Sequence, residues 1–474
     1  MRVAVISAEA VPYSKTGGLG DVAGALPKAL RSVGVDAFLI TPCYLQTKGE
    51  YLWHTAIDDL WVDWRGQRFR AKVFYSEANG SPTFLIDAPE YFHRDSIYGY
   101  REDYERFAFF NHAALELIRR LGAAPDVVHL NDWHCGFAAV EIAHLRFWES
   151  YWRNTRTFFS IHNLAYQGAF DAGELWKFGF SSDFERNAFA FNGHASALKA
   201  GLSASDLLST VSNRYAFEIQ TAQEGYGLDW LLRERADRLI GVTNGVDYDV
   251  WNPEKDSYLG AHYNAWNIEG KRECKRQLLE QFSLPVDLER PIFANITRLT
   301  AQKGIDLMMA VAGEILATGS YIVSLGSGEQ KYEDFWQRLR DYAPNQVGVF
   351  RGYNEDLAHK IEAGADMFMM PSKFEPCGLN QMYSLRYGTI PIVRAVGGLD
   401  DTVQNFDAVS GTGNGFKFRD YSPDKFLEKI YEALFAYYDK DAWRKMQWNG
   451  MTVDNSWENA ARKYVGLYRM ITGK

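Results

Sequence analysis

Lys15, Gly17, Gly18 and Gly20 sit together in the stretch YSKTGGLGDVAGALPKAL, just ahead of a helical pattern carrying Val22, Leu26, Ala29 and Val33 on one face. Backbone N–H groups at a helix start attract anions, and a lysine beside them makes sense when an anion is bound. The preceding apolar run, RVAVIS, looks like the strand of a dinucleotide fold, but roughly eight residues separate Ser7 from Gly17, too many for the usual glycine fingerprint. The next strand pattern, DAFLITPCY, ends in Thr41-Pro42 rather than in an acid that would hold a ribose, which argues against a dehydrogenase. A second anion motif occurs in ITRLTAQKGIDLMMAVAGEI, where Arg298 and Lys303 precede another helix. A planar fork and a point charge at one helix start suit a diphosphate. A third stretch, PSKFEPCGLNQMYSLRYGTIPIVRAVGGLDDTV, places Glu375 in a loop between a strand and a helix expected to begin near Gly378. A carboxylate there is either a helix cap or a group facing a ligand.

The surrounding elements would have to put these loops at sheet edges. RVAVIS, DAFLI, TFLIDA, DVVHL and TFFSIH read as strands in the first half, and PIFANI, YIVSLG, VGVFRG, MFMMPS and IPIVRA in the second. Strands alternating with helices indicate an α/β fold with parallel sheets, here two tandem doubly wound, Rossmann-like domains. Pro27 inside the first helix is expected to kink it. The boundary is expected in GVTNGVDYDVWNPEKD, whose Asn-Gly and Asn-Pro pairs mark turns. The expected division is an N-terminal domain over 1–243, a hinge over 244–256, a C-terminal domain over 257–455 and a helix over 456–474 that packs back on the first domain. Asn455-Ser456 would cap that helix, with Ala460, Tyr464, Leu467 and Met470 on one face.

Composition sets limits. A chain of 474 residues exceeds one ordinary core. Its net charge of −9 argues against a general nucleic-acid binder, while leaving room for a small anionic ligand. Cys43, Cys135, Cys274 and Cys377 are too scattered for a zinc motif or a disulfide framework, and they point to a reducing compartment. No signal peptide or long apolar run is apparent, so a cytoplasmic protein without a membrane partner is expected. The 14 Trp add flat apolar faces that suit sugar rings.

The motifs KTGGLGDV, HNLAYQG, NGVD, R-x-x-x-Q-K-G-x-D and EPCGLNQMYSLRYGTIPIVRAVGGLDDTV occur in this order over nearly the whole chain, which thereby resembles bacterial glycogen synthases and plant starch synthases of the GT-B fold. The resemblance implies two Rossmann-like domains with a cleft between them, closing around the substrates. It implies transfer of glucose from ADP-glucose, or UDP-glucose, to the non-reducing end of an α-1,4-glucan with retention of configuration. It implies neither metal nor cofactor, and leaves oligomeric state open. Lys15, Gly17 and Gly18 would approach the donor phosphates and glucose, with Asp21 nearby. His162, Asn163 and Asp132 would lie beside the donor sugar. Arg298 and Lys303 would neutralise the leaving diphosphate, with Gln302 in the same motif. Glu375 would face the donor sugar, with Cys377, Gly378 and Leu379 lining it. Tyr353 would pack on the base, and Asn244 would sit at the hinge. Lys15, His162, Arg298, Lys303 and Glu375 are the catalytic set.

Other patterns carry less. Asp247-Tyr248-Asp249 imitates a metal-binding D-x-D but falls in the hinge, where a turn is expected. SGTGN at 410–414 imitates part of a phosphorylase but lacks a cofactor-lysine context. His129, His134 and His144 read as packing or surface residues. The remaining alternatives are a GT-B enzyme with another donor or acceptor, and a catalytically silent glucan-binding protein. The five catalytic candidates together argue against silence.

Overall fold

The computed structural model describes residues 1–474 as two compact units, one formed by Met1–Gly245 with Trp457–Lys474 and the other by Val246–Ser456.

In the first unit the central strands are β1 (Arg2–Ile6), β2 (Asp36–Pro42), β3 (His54–Trp64), β4 (Gln67–Ser76), β5 (Thr83–Asp87), β6 (Val127–Asn131) and β7 (Arg156–Ile161). Three short strands, β8 (Ala169–Phe170), β9 (Ala190–Phe191) and β10 (His194–Ser196), form a separate sheet. Two more, β11 (Leu207–Thr210) and β12 (Leu239–Gly241), complete a nine-stranded sheet in the order β12-β11-β7-β6-β1-β2-β5-β4-β3. Only β4 and β3 run antiparallel to their neighbours. Strand order reverses beside β1, which pairs with both β2 and β6. The carboxyl ends at such a switch point are where doubly wound sheets bind ligands.

The helix Gly18–Ser32 buries Val22, Ala23, Leu26, Ala29 and Leu30 against this sheet and continues through the buried Pro27. The helix Trp457–Thr472 packs on the same face through Trp457, Ala460, Ala461, Tyr464, Val465 and Tyr468. Met470, expected on that face, is instead 58% exposed, because the buried stripe runs through 461, 465 and 468 and turns 470 outward. Tyr468 hydrogen-bonds His129 Nδ1 at 2.7 Å, and Ser160 meets the other ring nitrogen at 2.7 Å. Burial pushes the His129 imidazole down to about 3, so it is a neutral core residue.

The second unit is one parallel sheet of β13 (Ile292–Ile296), β14 (Tyr321–Gly326), β15 (Val347–Arg351), β16 (Met367–Met370), β17 (Ile390–Arg394) and β18 (Phe416–Phe418). Its order is β15-β14-β13-β16-β17-β18, with the switch point at β13/β16. Long apolar runs make these strands because both sheet faces are covered, by Met308, Val311 and Phe426 in one cluster and Leu278, Leu357 and Ile361 in another.

The segment after Val246 is anchored within this unit. Trp251 stacks between His359, 3.7 Å away, and Tyr383, 4.0 Å away. The Asp256 carboxylate accepts hydrogen bonds from His359 Nδ1 at 2.7 Å, the Tyr387 hydroxyl at 2.5 Å and the Tyr258 N–H at 2.9 Å. Burial opposes a charge on His359, but the hydrogen bond to Asp256 and the Glu355 carboxylate 3.5 Å from Nε2 outweigh it and raise the imidazole to about 8. Because the folded value lies above the ordinary 6.5, the stabilisation is complete below that value and is lost as pH rises through about 8. The shift corresponds to about 2 kcal/mol. The difference in unfolding free energy between wild type and His359→Asn is therefore expected to be largest near pH 6 and to shrink by pH 9. Urea titrations across that range measure it, and a difference independent of pH would show that the ring acts only by packing.

Candidate functional site

The first unit gathers its polar residues at the carboxyl ends of β1, β6 and β7. Glu9, only 3% exposed, holds the loop after β1, its carboxylate accepting the Thr16 N–H and hydroxyl, the Gly17 N–H and the Tyr98 hydroxyl. Sequence reasoning missed Glu9, for which the sequence offers only an acid closing the apolar run MRVAVISAE. Lys15 Nζ pairs with Asp21 in the first turn of the following helix at 2.7 Å. The glycines of this loop differ in cause. At Gly24 an added Cβ would lie 2.5 Å from the Val11 carbonyl oxygen, whereas at Gly17 and Gly18 it would meet nothing within 4 Å. Packing explains Gly24; it does not explain the other two.

Asp132, directly after β6, has φ 55° and ψ −178°, a region that strains a residue with a side chain by about 1–3 kcal/mol. In that conformation its carboxylate accepts the backbone N–H of His162 at 2.7 Å and of Asn163 at 3.4 Å. Burial, with a smaller push from the Glu9 carboxylate, raises the carboxyl to about 7, although these two N–H groups pull against it. His162 Nε2 lies 2.9 Å from Asn131 Oδ1, and Asn131 uses its Nδ2 to donate to the Ile6 carbonyl. Asn131 Oδ1 therefore accepts, and His162 carries its proton on Nε2. Burial lowers the ring to about 4, so it is neutral at pH 7 with Nδ1 as an acceptor. Asn163 Oδ1 caps Ala165 N at 3.1 Å. Asn244 is buried, and its Oδ1 has no partner.

The second unit places its residues around a cavity of about 190 Å³ at the carboxyl ends of β13 and β16, lined by Arg298, Lys303, Ser372, Glu375, Gly378 and Leu379 among others. Two loops are clasped together there. Gly304 has φ +70° and approaches so closely that an added Cβ would lie 2.1 Å from the Pro371 carbonyl oxygen. The Gln302 carbonyl accepts the Lys373 N–H at 2.8 Å, while its side chain donates to the Phe374 carbonyl at 3.3 Å. This clasp brings Lys303 Nζ within 2.5 Å of Glu375 Oε2, which also accepts from Ser372 Oγ at 3.2 Å. The Glu375 carbonyl is held from behind by the Gly398 N–H at 3.2 Å. Arg298 is exposed on the cavity wall.

Cys377 is buried, and its carbonyl accepts from Gln381 Nε2 at 3.0 Å. The helix expected from Gly378 begins at Asn380. Gly378 itself has φ +69°, outside helical space, so the regular turn starts two residues later. Asn380 donates to the Ile296 carbonyl at 2.8 Å, tying this helix to the end of β13. Tyr353 lies outside the cavity lining with its ring 69% exposed, its hydroxyl bonded to Glu355. The structure thus assembles Arg298, Gln302, Lys303, Glu375, Gly378 and Leu379 in the second unit. In the first it assembles Lys15, Gly17, Gly18 and Asp21 in one loop, and Asp132, His162 and Asn163 in another group.

Residues 2–234 match the family model described as starch synthase catalytic domain, and residues 277–445 match glycosyl transferases group 1. The chain is 42% identical over 475 residues to a glycogen synthase of Koribacter versatilis, covering 99% of this chain and 98% of that one. It is likewise 42% identical over 487 residues to a glycogen synthase of Clostridium beijerinckii, covering all of both. Among solved structures, the catalytic domain of starch synthase IV from Arabidopsis thaliana, bound to ADP and acarbose, superposes with a TM-score of 0.90 at 33% identity, covering 100% of this chain and 99% of that one. Sucrose-phosphate synthase from Thermosynechococcus elongatus, at 17% identity and a TM-score of 0.62 over 100% of this chain and 99% of that one, shares the fold.

Proposed function

The chain belongs to the glycogen and starch synthase family of GT-B glycosyltransferases, and from that premise we propose that it transfers glucose from ADP-glucose to the non-reducing end of an α-1,4-glucan with retention at the anomeric carbon. The observation that carries the proposal is the cluster of Arg298, Lys303 and Glu375 around one cavity at the β13/β16 switch point. Two cations there suit the diphosphate of a sugar nucleotide, and the ADP in the starch synthase IV structure is the basis for choosing adenine.

In this reading Arg298 and Lys303 stabilise negative charge as the bond from glucosyl C1 to the phosphate oxygen breaks. Glu375, fixed by Lys303 and Ser372, faces the sugar as it gains oxocarbenium character. Retaining glycosidases use two carboxylates, and Glu375 is the one carboxylate lining this cavity. That supports a same-face displacement, since the Asp132 carboxylate proposed beside the sugar is engaged by the His162 and Asn163 N–H groups. The acceptor O4 bonds to C1, and its proton passes to a diphosphate oxygen as ADP leaves. Gln302, Cys377, Gly378 and Leu379 shape the sugar and phosphate pocket, and the exposed Tyr353 ring packs on the base.

From the first unit, Lys15 and the open space over Gly17 and Gly18 attend the phosphates and glucose, with Asp21 orienting Lys15. His162, Asn163 and the strained Asp132 attend the glucosyl group, and Asn244 keeps its role at the hinge. No helix is long and apolar enough to cross a membrane, and the proposed compartment is the cytoplasm, with no added cofactor. The test is glucose incorporation into glycogen from ADP-glucose and UDP-glucose in parallel, with no metal added. Faster incorporation from ADP-glucose is expected; a UDP-glucose preference overturns the base assignment, and incorporation from neither overturns the reaction.

A further inference from the structure

Gln381 is fully buried on the helix that begins at Asn380. Its Nε2 donates to the Cys377 carbonyl at 3.0 Å, the Gly378 carbonyl at 3.0 Å and Thr402 Oγ1 at 3.2 Å. Thr402 gives its own proton to the Gly398 carbonyl at 2.6 Å, so toward Gln381 it accepts, and the amide nitrogen must face this group. The amide oxygen on the other side is buried without a partner. An unpaired oxygen destabilises a core, which sets Gln381 apart from a residue present only for packing.

What the amide holds is the backbone after Glu375. The Gly398 N–H donates to the carbonyls of Glu375 at 3.2 Å and Pro376 at 3.1 Å, and Gln381 donates to the next two. Four successive carbonyls are thus held from behind. Gly398 is pressed close to them, since an added Cβ would lie 2.0 Å from the Cys377 carbonyl oxygen. In a planar trans peptide the C=O and the following N–H point in opposite directions. Holding the carbonyls of Cys377 and Gly378 therefore turns the N–H groups of Gly378 and Leu379 away from Gln381. Gly378 and Leu379 line the cavity with Arg298 and Lys303, whereas Gln381 does not. Neither N–H has an acceptor within the protein. Both precede the first residue of the helix, so their direction comes from this lock and not from helical geometry.

We propose that Gln381 is a positioning residue for glucosyl transfer, aiming the Gly378 and Leu379 N–H groups at oxygen atoms of the bound sugar diphosphate. The inference rests on the reading of the cavity as a sugar-nucleotide site, and it adds what presets the uncharged donors there. Donors fixed in advance need no reorganisation as charge develops. A side chain that only filled space could be exchanged for one of equal volume without affecting the rate.

Gln381→Met keeps the volume and removes the amide donors. Its kcat is expected to fall by about ten- to a hundredfold, less than when a donor is deleted outright, because the N–H groups are misdirected rather than lost. The Kd for ADP-glucose should rise by no more than about threefold, since the aim matters most where charge develops. Cys-Gly occurs only at 135–136 and 377–378, so protein carrying 13C-carbonyl cysteine and 15N-glycine gives two amide signals. The Gly136 signal, from the helix Gly136–Trp148, is the control. With saturating ADP-glucose and no glucan, the Gly378 signal should move in wild type and by roughly half as much or less in Gln381→Met, as its hydrogen bond lengthens. An unchanged kcat overturns the proposal, as does equal movement of the Gly378 signal in both proteins. A wild-type signal that stays still while calorimetry shows the nucleotide sugar bound also overturns it, and leaves the sugar-nucleotide reading intact. If neither ADP-glucose nor UDP-glucose binds, that reading fails and the inference with it. Should Gln381→Met not fold, Gln381→Asn, which keeps the amide but withdraws it by one methylene, is measured in the same two ways, with a smaller loss of rate expected.

Discussion

Arg298→Ala is expected to lower kcat by about two to three orders of magnitude, the usual loss when a donor to developing charge is removed, while leaving the thermal midpoint within a degree or two. The second half of that expectation follows from position. Arg298 is exposed at the cavity wall, so its removal leaves no buried group unpaired. Lys303→Ala should cost as much in rate but is less clean, since it also strips Glu375 of a partner 2.5 Å away. Arg298→Lys separates charge from shape: it keeps the cation and loses the planar fork, so an intermediate rate is expected if two phosphate oxygens are gripped together. Single-turnover rates with saturating ADP-glucose make the comparison. A near-normal rate in Arg298→Ala would remove the diphosphate role.

Glu375→Gln should reduce turnover by two or more orders of magnitude, on the same scale of electrostatic effect, while changing the Kd for ADP by no more than a few-fold. Glutamine preserves volume and can still accept from Ser372 and Lys303, so the fold is challenged only by loss of the ion pair. Calorimetric titration with ADP and steady-state rates read the two arms. A variant that turns over normally would demote Glu375 to a structural partner of Lys303. A variant that loses rate and ADP affinity equally would place the carboxylate at the nucleotide rather than at the sugar.

The parallel strands were legible because β1, β2, β5, β6, β7 and β13 to β17 are short apolar runs set between helical patterns. The β3–β4 hairpin was not. Leu60, Val62 and Trp64 alternate with exposed Trp61 and Asp63 as a half-buried strand should. Its two-residue turn, however, is Arg65-Gly66, both with positive φ, at 54° and 72°. Such turns usually advertise themselves with Asn or Asp in the first position. An arginine there hides the signal. Among the site residues, motif spacing found the charged groups but not what holds them. Glu9 holds Thr16 and Gly17, next to Lys15, through its carboxylate, and the strained backbone of Asp132 serves His162. Neither relation has a period in the sequence. The Lys303–Glu375 contact joins loops some seventy residues apart, so only the strand order of the sheet brings them together.

The helix Trp457–Thr472 belongs to the first unit although the whole second unit precedes it in the chain. During synthesis the face formed by Val3, Leu26, Leu39 and Phe158 therefore waits, with the ring of Tyr468 absent from His129, until the second unit has been made. Contacts of such long sequence separation form slowly, and an uncovered apolar face invites aggregation. The first unit is thus the first begun and the last finished. A ribosome stalled inside the second unit would hold out a nearly complete sheet with one side bare, making that interval the one in which a nascent chain most depends on a chaperone.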